Sequence, residues 1–203
     1  EEIEKLITKK TKAIIYTSPS NPTGCVLRND EVKMLGDIAL KHNLWIIGDE
    51  VYRYFIFDDE KLKNYKSIMS YPEFRNNAVM IDSVSKHYSA CGARIGFLCT
   101  HNKELLQAIY KFCLSRLGAP MIDQIGSTAL LSWPNEFYEE QRQIYKKRKD
   151  AVIEGLKHIK GVRCTEPEGA IYIFPELPID DSNIFCQWMI TDFEYQGKTV
   201  MVS

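Results

Sequence analysis

Three short apolar runs, each closed by polar residues, constrain this chain most: Ala13-Ile14-Ile15-Tyr16-Thr17, Leu44-Trp45-Ile46-Ile47-Gly48-Asp49 and Ala78-Val79-Met80-Ile81-Asp82. Continuous apolar character over so few residues is what strands buried in a parallel sheet carry. The turn cluster Ser18 to Gly24 ends the first run. Between the first two runs, Val32, Leu35, Ile38 and Ala39 recur at three- and four-residue spacing, behind Asn29 or Asp30 as a cap. Strand, helix and strand make a βαβ unit. A further strand is expected over Ala93–Cys99, after the polar loop Ser83–Gly92. The expected class is therefore α/β, a mostly parallel sheet with helices on both faces.

Beyond residue 100 helical patterns dominate, over about Lys103–Leu117, Met121–Leu131 and Pro134–His158. The last carries Phe137, Ile144, Val152 and Leu156 among many charges, as a solvent-bordered connector between lobes does. Short strands are then expected at 161–164 and 170–174, flanking Glu166-Pro167-Glu168-Gly169, with a helix starting at Asp181 or Ser182. Residues 1–135 thus read as part of a large domain, and residues 136–203 as a connector helix and part of a small α+β C-terminal domain. Both ends read as interior: EEIEKLITKKTKAIIY as a helix tail entering a strand, and GKTVMVS as a strand cut short. The expectation is a piece of a longer protein.

Composition narrows the partners. The 203 residues are 45% apolar, and 26 basic against 27 acidic residues leave a net charge of −1, which gives no electrostatic footprint for nucleic acid or an anionic membrane. No apolar run approaches 18 residues, and Cys25, Cys91, Cys99, Cys113, Cys164 and Cys186 form no C-x-x-C pair. Free thiols in a reducing, cytoplasmic setting are expected.

In parallel α/β sheets ligands sit beyond the carboxyl ends of the strands. There this chain places Asn21 after the first run, Asp49 and Tyr52 after the second, and Ser83, Ser85 and Lys86 after the third. Arg94 follows across a loop of small residues, Ser89, Ala90, Gly92 and Ala93, that lets backbone pass close to a bound group. Each residue alone has a bland reading. A lone Lys is normally a solvated surface residue, an Asp at a strand end normally a cap, and Asn-Pro-Thr-Gly a common turn. The information lies in the set and its order: an amine, an acid, a phenol, an amide and a guanidinium suit a phosphorylated pyridine aldehyde.

The series Asn21-Pro22-Thr23-Gly24, Asp49-Glu50-Val51-Tyr52, Ser83-Val84-Ser85-Lys86 and Arg94-Ile95-Gly96 resembles the signature of class I/II, fold-type I pyridoxal-phosphate (PLP) aminotransferases of the aspartate-aminotransferase superfamily. The segment Glu168-Gly169-Ala170-Ile171-Tyr172-Ile173-Phe174-Pro175 resembles that family's entry into its small domain. The resemblance implies an enzyme that moves an amino group between an L-amino acid, aspartate by default, and a 2-oxo acid. It implies pyridoxal 5'-phosphate as cofactor and a homodimer as the assembly. It also implies roles: Lys86 as the covalent attachment point and general base, Asp49 as partner of the pyridine nitrogen, Tyr52 and Asn21 as hydrogen-bond donors to the ring oxygen, and Ser83 and Arg94, with Ser85 secondary, as phosphate ligands.

Two other outcomes share the same residues. A lyase, decarboxylase or cyclising synthase uses the same cofactor set, because reaction choice rests on substrate-orienting groups; an aminotransferase-like sensor domain of a transcription regulator needs no catalysis. The family's upstream phosphate loop, ring-stacking aromatic and C-terminal carboxylate-binding arginine are not among the motifs here, so the chain alone is not expected to turn over. Glu50 is left aside because strand alternation points it away from Asp49. His87 and Tyr88 read as packing residues, the cysteines as core fillers, and Arg116 matches no family motif.

Overall fold

The computed structural model describes residues 2–203. The apolar runs form β1 (Ala13–Thr17), β2 (Trp45–Asp49) and β3 (Ala78–Ser83), and β4 (Gly96–Cys99) completes a sheet in the order β1-β2-β3-β4. β1 pairs with β2, and β2 with β3, in parallel, whereas β4 runs antiparallel to β3. The last strand is shorter than its sequence suggests because Cys91–Ala93 makes a 3₁₀ turn and Arg94 takes a left-handed backbone (φ 55°), which ends extended pairing.

Following a short helix α1 (Glu2–Lys5), α2 (Asn29–Lys41) buries Val32, Leu35, Ile38 and Ala39, and Val32, Leu35 and Ala39 pack in one core with Tyr16, Ile46, Ala78 and Met80. Capping differs from expectation. Arg28 holds the cap position, with its backbone N–H donating to Glu31 at 2.8 Å, while the Asn29 amide turns outward to the Asn64 carbonyl at 2.7 Å. Phe74, fully buried, lies against Gly36 so closely that any Cβ there would meet its ring. This explains a glycine inside a helix, at a propensity cost of about 1 kcal/mol. The opposite sheet face, with Ile15 at 69% and Ile81 at 39% exposure, is left partly open by the described residues, so the helical cover expected on both faces is dense on one.

A small helix, α3 (Asp59–Asn64), is capped by Asp58. Helices α4 (Lys103–Ser115) and α5 (Met121–Leu130) follow the sheet and bury no residue. The connector α6 (Asn135–Lys157) presents Arg142, Tyr145, Lys149 and Ile153 inward rather than Val152, which is exposed. Buried Arg142 donates to the Ile56 and Phe57 carbonyls at 3.2 and 3.3 Å and pairs with Asp59 at 2.7 Å, bolting α6 to the segment after β2. The strands expected at 161–164 and 170–174 shrink to isolated bridges, Arg163 with Glu176 and Ile56 with Gly169. Pro167 and Pro175 lack the N–H a ladder needs, and Ala170 sits at φ 61°. Residues 198–203 form no strand beyond the Tyr195–Lys198 bridge, and α7 (Ser182–Thr191) starts at the cap Asp181.

Candidate active site

The parallel registers bring the ends of three strands to one edge, with Thr17 beside Asp49 and Asp49 beside Ile81. The sequence-predicted residues therefore share a rim. Asp49 ends β2 half-buried, and its Oδ1 accepts the Val51 N–H at 3.3 Å, while its other oxygen has no hydrogen-bond partner among the described residues. The chain then turns through Arg53 N–H to Glu50 carbonyl (3.0 Å) and Phe55 N–H to Tyr52 carbonyl (2.8 Å). That turn buries Tyr52 to 3% exposure, and burial pushes its phenol pKa up. Lys86, half-buried in the loop after β3, holds its Nζ 5.5 Å from the centre of the Tyr52 ring. The amine, from the loop after β3, is thus brought to the phenol and carboxylate at the end of the neighbouring β2.

The other predicted residues are placed less tightly. Ser83 Oγ lies 3.0 Å from the Ile95 carbonyl and 2.8 Å from Ser85 Oγ, and it accepts the Ser85 N–H at 3.0 Å. Ser83 has one hydroxyl proton for two acceptors, so the proton that goes to the Ile95 carbonyl leaves Ser85 to donate to Ser83, and the two hydroxyls form one chain beside Lys86. Arg94 is exposed and donates to the Cys91 carbonyl at 3.0 Å, while the pairing of Ser83 with Gly96 keeps it beside the Ser83–Lys86 loop. Asn21 is exposed on the turn after β1, and among the described residues its side chain has no hydrogen-bond partner. The structure thus gathers Asp49, Tyr52, Lys86, Ser83 and Ser85 on one rim, with Arg94 and Asn21 at its open margin.

Glu50 points away from Asp49, as strand alternation requires. It is fully buried and accepts from the Ser67 hydroxyl at 2.9 Å and the Ile68 N–H at 2.8 Å. Behind the site this acid joins a charged cluster that sequence reasoning did not find. Arg53 Nη2 is 2.8 Å from Asp82 Oδ2 without the alignment of a hydrogen bond, and His87 Nδ1 is 3.7 Å from Asp82 Oδ1. Desolvation lifts the Asp82 carboxyl to about 6 against the pull of Arg53, and desolvation plus Arg53 lowers His87 to about 4. His87 packs against Tyr54 and Tyr88 with tilted rings, at 4.6 and 4.2 Å between ring centres, so both residues after Lys86 pack, as read from sequence.

A second residue the sequence did not flag is Tyr172, whose hydroxyl hydrogen-bonds that of Tyr52, the rings meeting edge to face at 5.4 Å. Its signal was hidden because Ile-Tyr-Ile-Phe reads as alternation in a strand. Arg116 is exposed at the end of α4. All six cysteines are free, and Cys25, Cys91 and Cys113 are exposed rather than core fillers. Among the described residues no cluster of His, Cys, Asp and Glu could hold a metal, and no helix is long and apolar enough to cross a membrane.

Comparison with known proteins fits this geometry. The family model for aminotransferase class I and II matches residues 1–196. An aspartate aminotransferase of Geobacillus stearothermophilus is 34% identical over 176 residues, covering 86% of this chain and 44% of the relative. A probable aspartate/prephenate aminotransferase of Rhizobium leguminosarum is 33% identical over 201 residues, 98% of this chain and 47% of the relative. Among solved structures, the aspartate aminotransferase of Thermotoga maritima superimposes with TM-score 0.82 at 33% identity, over 94% of this chain and 48% of that one. The chain spans about half the length of the relatives it matches. Its sheet, the four ordered motifs on the sheet's carboxyl edge and the match over nearly all its residues agree: the chain belongs to the class I and II aminotransferase family.

Proposed function

We propose that this protein is a PLP-dependent aminotransferase that moves an amino group between an L-amino acid, aspartate by default, and a 2-oxo acid. One observation carries the reading: Asp49, Tyr52 and Lys86 meet at the carboxyl ends of adjacent parallel strands. The donor set fits the cofactor. Lys86 offers an amine for an aldehyde, Asp49 has an uncommitted oxygen for a protonated pyridine nitrogen, Tyr52 a phenol for the ring oxygen, and the Ser83–Ser85 hydroxyl pair and Arg94 donors for a phosphate. Asn21, on the neighbouring turn, has a free amide for the same ring oxygen, and Ser83 orients Ser85.

PLP, when bound, supplies an aldehyde and an electron-withdrawing ring that stabilises negative charge at the substrate α-carbon. The chain's residues do the rest. Lys86 would hold the cofactor covalently at rest, and its freed amine would carry the proton between the substrate α-carbon and the cofactor's C4′. Asp49 keeps a proton on the pyridine nitrogen by its charge, and Tyr52 sets the charge on the ring oxygen by donating to it. The names of the relatives support the aspartate default. We also propose, from the same family membership, a homodimer in the cytoplasm, with residues 1–135 in the large domain and 136–203 in the connector and small domain.

The test is a half-reaction. Aspartate added alone to the PLP-loaded protein should yield one equivalent of 2-oxo acid per site and stop until an oxo-acid acceptor is supplied. Continued release of ammonia without acceptor would instead assign a lyase.

A further inference from the structure

The segment that carries Tyr172 is strapped to the segment that carries Tyr52. Phe57 N–H donates to the Glu168 carbonyl and Ala170 N–H to the Phe55 carbonyl, both at 2.9 Å, around the Ile56–Gly169 bridge. On the other side, the Glu168 and Gly169 N–H groups both donate to the Gly24 carbonyl at 2.9 Å, in the Asn-Pro-Thr-Gly turn. Glycine is required at both ends of this join: a Cβ on Gly24 would strike Pro167, and one on Gly169 would strike the Phe55 carbonyl and Pro19. Ala170, fully buried, holds a left-handed backbone at φ 61°, a conformation that costs a non-glycine residue about 1 kcal/mol and persists only when its surroundings fix it.

The strap ends two residues before Tyr172 and begins three residues after Tyr52. It therefore sets the two phenols against each other as part of one hydrogen-bonded unit. Burial raises the Tyr172 phenol pKa, the hydrogen bond to Tyr52 raises it further, and the Lys86 ammonium acts the other way by charge and hydrogen bonding. Lys86 and Tyr52 thus both border the Tyr172 hydroxyl.

We propose that Tyr172 is a positioning residue for the aminotransferase reaction: its hydroxyl donates to the Tyr52 oxygen, which strengthens and aims the proton that Tyr52 donates to the cofactor's ring oxygen. This rests on the cofactor reading above. Hydrogen bonds in series polarise one another, so a phenol that accepts is a better donor. Tyr52 alone would stabilise negative charge on the ring oxygen less well, and the bound chromophore would keep its proton to higher pH.

The experiment follows the visible absorbance of the PLP-loaded protein from pH 5 to 10 in the unmodified form, Tyr172→Phe, Tyr172→Leu, Tyr52→Phe and the Tyr52→Phe/Tyr172→Phe pair. Thermal unfolding without cofactor confirms that each variant is folded. Tyr172→Phe should raise the pH midpoint of the colour change by about 0.5 to 1 unit, the size of one lost neutral hydrogen bond. Tyr172→Leu should match it, because the hydroxyl and not the ring matters. In the Tyr52→Phe background the second substitution should shift nothing more. An unchanged midpoint in Tyr172→Phe, or an equal shift in both backgrounds, overturns the proposal while leaving the cofactor reading intact. The absence of any visible band in the unmodified protein overturns the cofactor reading itself, and this proposal with it.

Discussion

The α2 layer on the sheet and the helix pair α4–α5 carry similarly amphipathic helices yet end in opposite states. In the first, Phe74, Ile46 and Ile68 are fully buried between α2 and the sheet. In the second, Phe112, Met121 and Ile122, and Leu117 in the turn between, stand open to solvent, and neither helix buries a residue. Helical periodicity therefore tells where an apolar stripe is, not what it packs against. The strands and α2 find partners within this chain, and the α4–α5 stripe finds none among the described residues.

Core truncation should show the largest contrast. Phe74→Ala removes a ring enclosed by α2 and β3 and should cost about 3–5 kcal/mol in denaturant unfolding. A cost below about 1 kcal/mol would mean that this half is no better packed than the helices.

His87 gives the next effect, and its sign depends on pH. Its pKa of about 4, below the ordinary 6.5, means the unfolded chain takes up a proton that the folded one refuses, so stability from this group is lost as pH falls from 6.5 to 4. Asp82 works in the opposite direction: raised from 3.8 to about 6, it leaves the folded state holding a proton the unfolded chain releases, so its contribution falls as pH rises across that window. The two largely cancel in the unmodified protein. His87→Asn should therefore cost most at neutral pH, and the cost should shrink by about 2–3 kcal/mol on going to pH 4. A cost that is the same at both pH values would show that the imidazole is not held neutral.

The smallest effect belongs to the open helix pair and the turn that joins it, where Leu117 lies. Leu117→Ser should change stability by less than about 0.5 kcal/mol, since its side chain is almost fully exposed. A loss above about 2 kcal/mol would mean that in solution this surface is covered by something residues 2–203 do not supply.

The same contrast explains how much could be read from sequence. The strands were legible because continuous apolar runs have one comfortable environment, and the rim residues were legible because parallel strands put their carboxyl ends on one edge. The antiparallel turn of β4 was not, because it depends on the backbone of Arg94 rather than on its composition. Missed too were the inward face of α6, where an arginine reaches backbone carbonyls, and the cluster of Arg53, Asp82 and His87, which joins the loop after β2 to β3 and the loop after it. Tyr172 escaped because its partner, Tyr52, is 120 residues away in the chain. Pairings of that range are set by tertiary contact and leave no local pattern.

The most direct test of the account is the identity of the residue that carries the cofactor. The protein should be loaded with PLP, reduced with borohydride, digested and mapped by mass. The account predicts a single pyridoxyl-modified lysine, Lys86, and loss of the label in Lys86→Ala; a label on another lysine, or none, would contradict it.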